Sequence, residues 1–187
     1  MGASIVDSKT FPNPAIFSAD GNVLLTGTRL WKPYAAKVLS APLAVRYDSD
    51  IVACSSDGLT ILTSGAHLKM QEVAQLWRAD SGKPVGAPMM HGRPIQHATF
   101  SPDGRSVATT CGEKVHLWQA DSGKPVGNVL AHLGPVERLL FRPDGRALLT
   151  TGQEHAQLWS VDTEKPIGPP ITYKTRVQEK GDSKSGA

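Results

Sequence analysis

The last two thirds of the chain repeat one pattern three times with a fixed period. In each copy a short apolar segment ends with Leu-Trp and is followed by a turn that carries Lys-Pro. These positions recur every 41 residues, at Trp77, Trp118 and Trp159 and at Lys83, Lys124 and Lys165. A fixed period of this size is typical of repeat architectures, in which each repeat buries its apolar face against its neighbours.

An Asp-Gly turn provides a second set of reference positions and reveals an earlier, fourth copy. These turns carry Asp20, Asp57, Asp103 and Asp144. Each Trp is followed 26 residues later by the next of these aspartates, whereas the distance from an aspartate to the Trp of its own copy varies from 11 to 20. Insertions are therefore confined to one connection per copy, as expected of a surface loop between elements with fixed packing.

Within the last copy, four short segments alternate with turns. Residues 136–141, 147–151 and 156–161 read as strands, and residues 166–171 form a proline-containing fourth segment that suits a sheet edge. Runs of five or six residues are typical of strands, and no helical periodicity interrupts them. The sequence therefore predicts an all-β fold built from four consecutive four-stranded antiparallel units.

Units of about 40 residues with Leu-Trp at the end of the third strand resemble WD40 repeats, the blades of a β-propeller. The most specific parts of the resemblance are Phe-Ser-Pro-Asp-Gly-Arg at 100–105, Phe-Arg-Pro-Asp-Gly-Arg at 141–146 and the three Leu-Trp endings. The segment Ala-Asp-Ser-Gly-Lys-Pro-Val-Gly, which occurs shortly after two of the Leu-Trp endings, is similar to segments of bacterial WD40 arrays. Such arrays are often attached to serine/threonine kinases. The first copy, with almost no hairpin between its second and third strands, is degenerate.

The resemblance covers residues 14–172 and implies the division of the chain. We expect a lead-in at 1–13, then blades at about 14–44, 45–90, 91–131 and 132–172. The remaining segment, 173–187, is almost without apolar residues and is predicted to be a disordered polar tail.

The resemblance also implies which residues hold a blade together. It assigns a histidine, an acidic residue and the tryptophan to a hydrogen-bonded brace inside the blade. The matching positions are His91 and His132, then Glu72, Glu113 and Glu154, and finally Trp77, Trp118 and Trp159. The structural repeat positions further include the turn residues Asp57, Asp103 and Asp144. The aspartate that follows the tryptophan in the family is Arg78, Gln119 or Ser160 here.

Four blades leave three ways to complete the architecture. They are a tight four-bladed ring, an open arc, or two arcs that meet as an eight-bladed dimer. We expect the open arc or partial propeller, with self-association through its terminal blades, because an arc would expose apolar surface at both ends.

The sequence contains no motif that identifies an enzyme, a metal site or a cofactor site. The six histidines have no ligand spacing, and there is no phosphate loop or nucleophile elbow, so we expect neither catalytic nor metal-binding residues. A net charge of +3 is spread over the turns, which argues against nucleic-acid binding. The sequence has no membrane-spanning run, and its two cysteines at unrelated positions suit a reducing cytoplasm.

The length variation places a candidate partner-binding loop between the second and third strands. The expanded loop of the second copy carries Leu68, Lys69 and Met70, and we expect Arg93, Glu113 and Glu154 to lie on the same face. Two functions follow. The first is a non-enzymatic protein–protein interaction scaffold with an unidentified protein partner. The alternative is an incomplete fragment of a longer WD40 propeller. An active site in a central propeller channel is a third, weaker possibility.

Overall fold

The computed structural model describes residues 16–18, 21–26, 29–35, 37–38, 50–67 and 71–173. Within these ranges the chain forms β-strands and one turn of 3-10 helix at Pro33–Ala35. No α-helix occurs among them. The all-β fold predicted from the sequence is therefore confirmed for the part of the chain that the structure describes.

The strands form four antiparallel sheets of four strands each, and every sheet follows the chain order as a meander. The first sheet consists of β1 (Ile16–Phe17), β2 (Leu24–Thr26), β3 (Arg29–Lys32) and β4 (Lys37–Val38). The second consists of β5 (Asp50–Cys54), β6 (Thr60–His67), β7 (Gln71–Arg78) and β8 (Pro84–His91). The third consists of β9 (His97–Phe100), β10 (Ser106–Cys111), β11 (Lys114–Gln119) and β12 (Pro125–Ala131). The fourth consists of β13 (Arg138–Phe141), β14 (Ala147–Thr151), β15 (His155–Ser160) and β16 (Ile171–Thr172).

The fourth sheet differs from the prediction mainly in its last strand. Its second strand has the predicted bounds, and the third is shifted by one residue. The predicted fourth strand at 166–171 contracts to an isolated bridge between Trp159 and Pro166 and the two-residue β16. Gly168 adopts a positive φ of 75°, and the prolines that follow it have no N–H to donate, so the ladder is interrupted there.

The second, third and fourth sheets stack face to face, with equivalent rows of side chains at both junctions. We call the side of a sheet that meets the next sheet its leading face, and the side that meets the preceding sheet its trailing face. In the third sheet, Phe100, Val107 and Trp118 form a cross-strand row on the trailing face and pack in one core with the second sheet. Ala108 and Leu117 face the other way and pack with the fourth sheet. Because successive side chains of a strand point to opposite faces, one sheet provides one set of side chains to the preceding sheet and another set to the next sheet.

Two glycines allow neighbouring sheets to approach closely, Gly86 against a backbone carbonyl and Gly127 against a side-chain carboxylate. A Cβ at Gly86, near the start of β8, would overlap the carbonyl oxygen of Ser122 in the third sheet. A Cβ at Gly127, one period later, would overlap the carboxylate of Glu164 in the fourth sheet. We call each of these positions a glycine notch, because it receives the third-to-fourth-strand turn of the next sheet.

The first strands of the sheets also contact one another in succession. β1 contacts β5, β5 contacts β9, and β9 contacts β13. No contact of similar extent joins β13 to β1 among the described residues. The first strands therefore lie along one side of the stack.

The hairpin between the second and third strands carries the length variation, as the spacing of the sequence predicts. It pairs over eight positions in the second sheet, six in the third and three in the first. The tip of the long hairpin, 68–70, lies outside the described residues.

The predicted lead-in at 1–13 and most of the predicted tail also lie outside the described residues. Tyr173, which the sequence assigns to the tail, is bonded to the fourth sheet. Its hydroxyl donates to the carbonyl of Gly152 and its N–H to that of Glu154.

Candidate interaction surface

A hydrogen-bonded chain inside the third sheet connects a histidine, a threonine and a tryptophan. Trp118 Nε1 donates to Thr109 Oγ1 at 2.9 Å, and this hydroxyl lies 2.8 Å from His91 Nε2. His91 Nδ1 lies 3.0 Å from the carbonyl of Met89, which can only accept, so Nδ1 carries the proton of the neutral ring. Nε2 then accepts from Thr109. Because His91 ends β8, this brace ties the second sheet to the third.

The acidic residue that the resemblance assigns to the brace is not part of it. Glu113 is exposed at the tip of the β10–β11 hairpin, and Glu154 is exposed in the β14–β15 hairpin. A buried threonine takes the role instead, because its hydroxyl can accept from the indole and still donate. Glu72 is half-buried on β7.

The same threonine–tryptophan pair recurs in the second and fourth sheets. Trp77 donates to Thr63 at 2.8 Å, and Trp159 donates to Thr150 at 2.9 Å. The sequence analysis missed these threonines, although each follows the Asp of its Asp-Gly turn by six residues. His132 does not complete the fourth brace. Its Nδ1 lies 3.0 Å from the carbonyl of Gly134, and its buried Nε2 has no partner beside a cavity of about 30 Å³.

A cysteine and two histidines surround the brace of the third sheet. Cys111 Sγ lies 3.7 Å from His116 Nε2, and the rings of His116 and His91 meet edge to face at 5.1 Å. Burial raises the pKa of the Cys111 thiol and lowers the pKa of His116. Burial, with a smaller effect of His116, lowers the pKa of His91 to about 4. The thiol therefore stays protonated beside a neutral ring, whereas a nucleophilic cysteine needs to be a thiolate.

The aspartates of the Asp-Gly turns fix the end of the molecule where the first strands turn into the second, which we call the turn end. Asp103 accepts from the Ser101 hydroxyl at 2.6 Å and from the N–H of Arg105 at 3.1 Å, and these bonds lower its pKa. Asp57 is bonded to Ser55 in the same way. In the fourth sheet Arg142 replaces the serine and pairs with Asp144 at 2.6 Å. The Arg142 hydrogen bond is the main reason that the pKa of Asp144 falls to about 2.

The turns of successive sheets also contact each other. The Ser56 hydroxyl donates to the carbonyl of Pro102 at 2.8 Å, which links the second sheet to the third. A Cβ at Gly145 would lie 3.7 Å from the Asp103 carboxylate, in ordinary contact. The turns of the second and third sheets are therefore hydrogen-bonded to each other, and those of the third and fourth sheets are in contact.

A groove of about 600 Å³ opens at the turn end between the third and fourth sheets. It is lined by Gly104, Arg105, Ser106, Gln119, Asp121, Val126, Val161 and Asp162. The lining includes two carboxylates and one guanidinium, and the two valines supply apolar surface. The volume lies within the range of about 300–1,000 Å³ that ligand sites occupy. Sequence analysis did not find this groove, because it is formed by turns from two different units.

Three of the six residues proposed from the sequence for partner binding lie at the opposite end, the hairpin end. Arg93, Glu113 and Glu154 are all exposed there. The Arg93 guanidinium comes within 3.7 Å of a Cβ placed on Gly112, next to Glu113, so these two residues are neighbours. Leu68, Lys69 and Met70 lie outside the described residues.

Comparison with known proteins assigns the chain to no family: no family model matches its sequence, and no curated protein does. Within the described ranges, no group of three or more His, Cys, Asp or Glu side chains is placed to hold a metal ion. The same part of the chain contains no helix with the length and apolar character needed to cross a membrane.

Proposed function

We propose that the four sheets are successive blades of a partial β-propeller of WD40 type, and that the chain is a non-enzymatic scaffold that binds a protein partner. The stacking of meanders in chain order supports the propeller arrangement. The succession of contacts from β1 to β5, β9 and β13 supports it further, because innermost strands would meet in this order around an axis.

The groove between the third and fourth sheets is the proposed binding site for the protein partner. Its walls are hydrogen-bonded to each other. The N–H of Ala120 donates to the Arg105 carbonyl within the third sheet. The N–H of Asn128 donates to the Glu164 carboxylate of the fourth sheet at 2.7 Å. A bound segment therefore meets a surface that needs little ordering. Asp121 and Asp162 outnumber Arg105, so the groove carries one net negative charge and favours a segment with a basic side chain. Val126 and Val161 would contact an apolar neighbour of that side chain.

The Cys111 thiol beside His116 argues against one enzymatic function, nucleophilic catalysis by this cysteine, because burial raises the pKa of the thiol and keeps it protonated.

A peptide-display selection on the full chain tests the groove. A random library would be selected on the wild-type protein, and the enriched peptides measured by isothermal titration calorimetry. We expect basic residues in the enriched peptides and a loss of affinity of about tenfold, or about 1.4 kcal/mol, in the Asp121→Asn variant.

A matched control exists one period earlier. Asp80 occupies the same turn position in the second sheet, outside the groove, and pairs with Arg78 on the surface at 3.1 Å. Asp80→Asn should leave peptide affinity unchanged. Equal peptide affinity of the wild type, Asp121→Asn and Asp80→Asn would contradict binding in the groove. Loss of peptide binding in Arg93→Ala or Glu154→Ala would show that the binding site lies at the hairpin end.

A further inference from the structure

The leading face of the fourth sheet carries a row of four aliphatic side chains that no further sheet covers in the described structure. Leu140 pairs with Leu149 and Leu149 with Leu158, while the N–H of Ile167 donates to the Leu158 carbonyl at 2.8 Å. Leu140 is 54% exposed and Ile167 is 45% exposed. The other two are half-buried.

The equivalent rows in the preceding sheets are covered. In the third sheet the row contains Ala108 and Leu117, at most 1% exposed, because the fourth sheet packs on them. In the second sheet it contains Leu62 and Leu76, which are equally buried under the third sheet. The fourth sheet therefore presents the same kind of face as the second and third, without its cover.

The glycine notch of the fourth sheet is open as well. Gly168 follows Gly127 by 41 residues, as Gly127 follows Gly86. The first two notches receive a turn of the next sheet, whereas a Cβ at Gly168 would meet nothing within 4 Å. Both features of a sheet-to-sheet junction, the apolar row and the notch, are thus present and unoccupied at this end.

The trailing face of the first sheet exposes the matching residue at the other end of the stack. Phe17 occupies the position of Phe100 and Phe141 and pairs with Leu24, as Phe100 pairs with Val107. Phe17 is 58% exposed, whereas Phe100 is 8% exposed against the second sheet. Trp31, the next member of this row, is already buried, so Phe17 is the side chain that this face offers to a partner.

We propose that two copies of the chain associate head to tail, with the leading face of the fourth sheet of each copy against the trailing face of the first sheet of the other. The contact would continue the series of junctions that already joins the second sheet to the third and the third to the fourth. The segment 174–187 is a poor alternative cover, since Val177 is its one large aliphatic residue.

The area of the faces favours a pair that forms both junctions over one that forms a single junction. The strands total 11 residues in the first sheet and 17 residues in the fourth. With strand spacings of about 4.8 Å and rises of about 3.3 Å per residue, these faces measure about 170 and 270 Å². Two junctions would bring together about 900 Å² of described face, which suits a weak, concentration-dependent pair, since specific stable complexes bury about 1,200–2,000 Å². A single junction would cover half of that.

Sedimentation equilibrium of the full chain over a series of concentrations tests this pairing. We expect wild-type protein at twice the 20.0 kDa mass of one chain. Leu140→Asp and Phe17→Asp should each reduce the mass to that of one chain at moderate concentration. Leu59→Asp, at a turn residue that is 46% exposed and outside both faces, is the matched control and should keep the wild-type mass.

Mixing the two variants separates head-to-tail pairing from misfolding and from pairing of like faces. Each variant keeps the face that the other has lost, so an equimolar mixture should regain paired chains at the upper end of the concentration series and should grow no further. Circular dichroism of each variant would match the wild type. A wild-type protein that stays at one chain's mass, a Phe17→Asp variant that keeps the wild-type mass, or a mixture that stays monomeric would each overturn the proposal.

Discussion

Protonation of His91 should destabilise the folded protein in mild acid. The ring is 3% exposed, and its burial lowers its pKa from 6.5 to about 4. The ordinary pKa of 6.5 applies in the unfolded chain, so the folded state disfavours the proton. Stability from this group is complete above about pH 6.5 and declines as the pH falls toward 4. A pKa lower by about 2.5 corresponds to about 3 kcal/mol in total and to about 2 kcal/mol at pH 5.

Urea unfolding at pH 7, 6 and 5, at one protein concentration, measures this decline. The aspartates with lowered pKa values lose their contributions at lower pH, so the range from 7 to 5 isolates the histidines. His116 acts in the same direction, since its pKa is also lowered. We expect the free energy of unfolding to fall by at least about 2 kcal/mol over this range.

Two variants test whether His91 is the residue that causes the pH dependence of the free energy of unfolding. His91→Gln loses the bond to Thr109 and should be less stable at pH 7, but its stability should vary less with pH by about 2 kcal/mol. His97→Gln changes an exposed ring and should keep the wild-type slope. If His91→Gln retained the full wild-type pH dependence, the buried neutral ring would not be its source.

Two further predictions concern the sheet junctions and the brace. Gly86→Ala and Gly168→Ala both place a side chain at a positive φ and share a strain of about 1–2 kcal/mol. Within a single chain only Gly86 faces a neighbouring backbone. In urea unfolding at a concentration low enough to keep the chains separate, the Gly86→Ala variant should therefore be about 1–3 kcal/mol less stable than the Gly168→Ala variant. Equal losses would show that the notch accommodates a methyl group. Thr109→Val removes the hydrogen-bond partner of both Trp118 and His91 and should lower the free energy of unfolding by about 2–4 kcal/mol in thermal or urea unfolding. Thr99→Val is the control, because its half-buried hydroxyl makes one weak hydrogen bond, and it should lower the free energy of unfolding by under about 1 kcal/mol. Similar costs for both variants would remove the brace as a source of stability.

The repeat spacing predicted much of the fold because strand order and turn position are local properties. The Asp-Gly and Leu-Trp positions identify the strand pairs, and the structure has its hairpins where their spacing varies. The last strand was misplaced because Gly168 and the two prolines after it break a ladder that the repeat alone would continue. The brace threonines escaped notice because a threonine in a strand is ordinary, and its role depends on an indole across the sheet.

The groove and the uncovered apolar row could not be predicted from the sequence, because both depend on how separate units pack. The groove combines Arg105 and Asp121 with Asp162 from the next unit, and no spacing along the chain reports the gap between two sheets. The apolar row at Leu140 reads like the rows of the other units, since a pattern of hydrophobicity does not indicate whether a covering layer exists. Burial at these positions is a property of the stack.

The two glycine notches filled within the stack carry a consequence for how such a chain can change in length. At both of these junctions a notch in one unit receives a turn of the next, and notch and turn recur at the same 41-residue interval. Duplication or excision of a whole interval would therefore bring together surfaces that already fit, without redesign of any individual contact. An insertion of any other length would have to be accommodated in a hairpin, where the backbone projects away from the junctions.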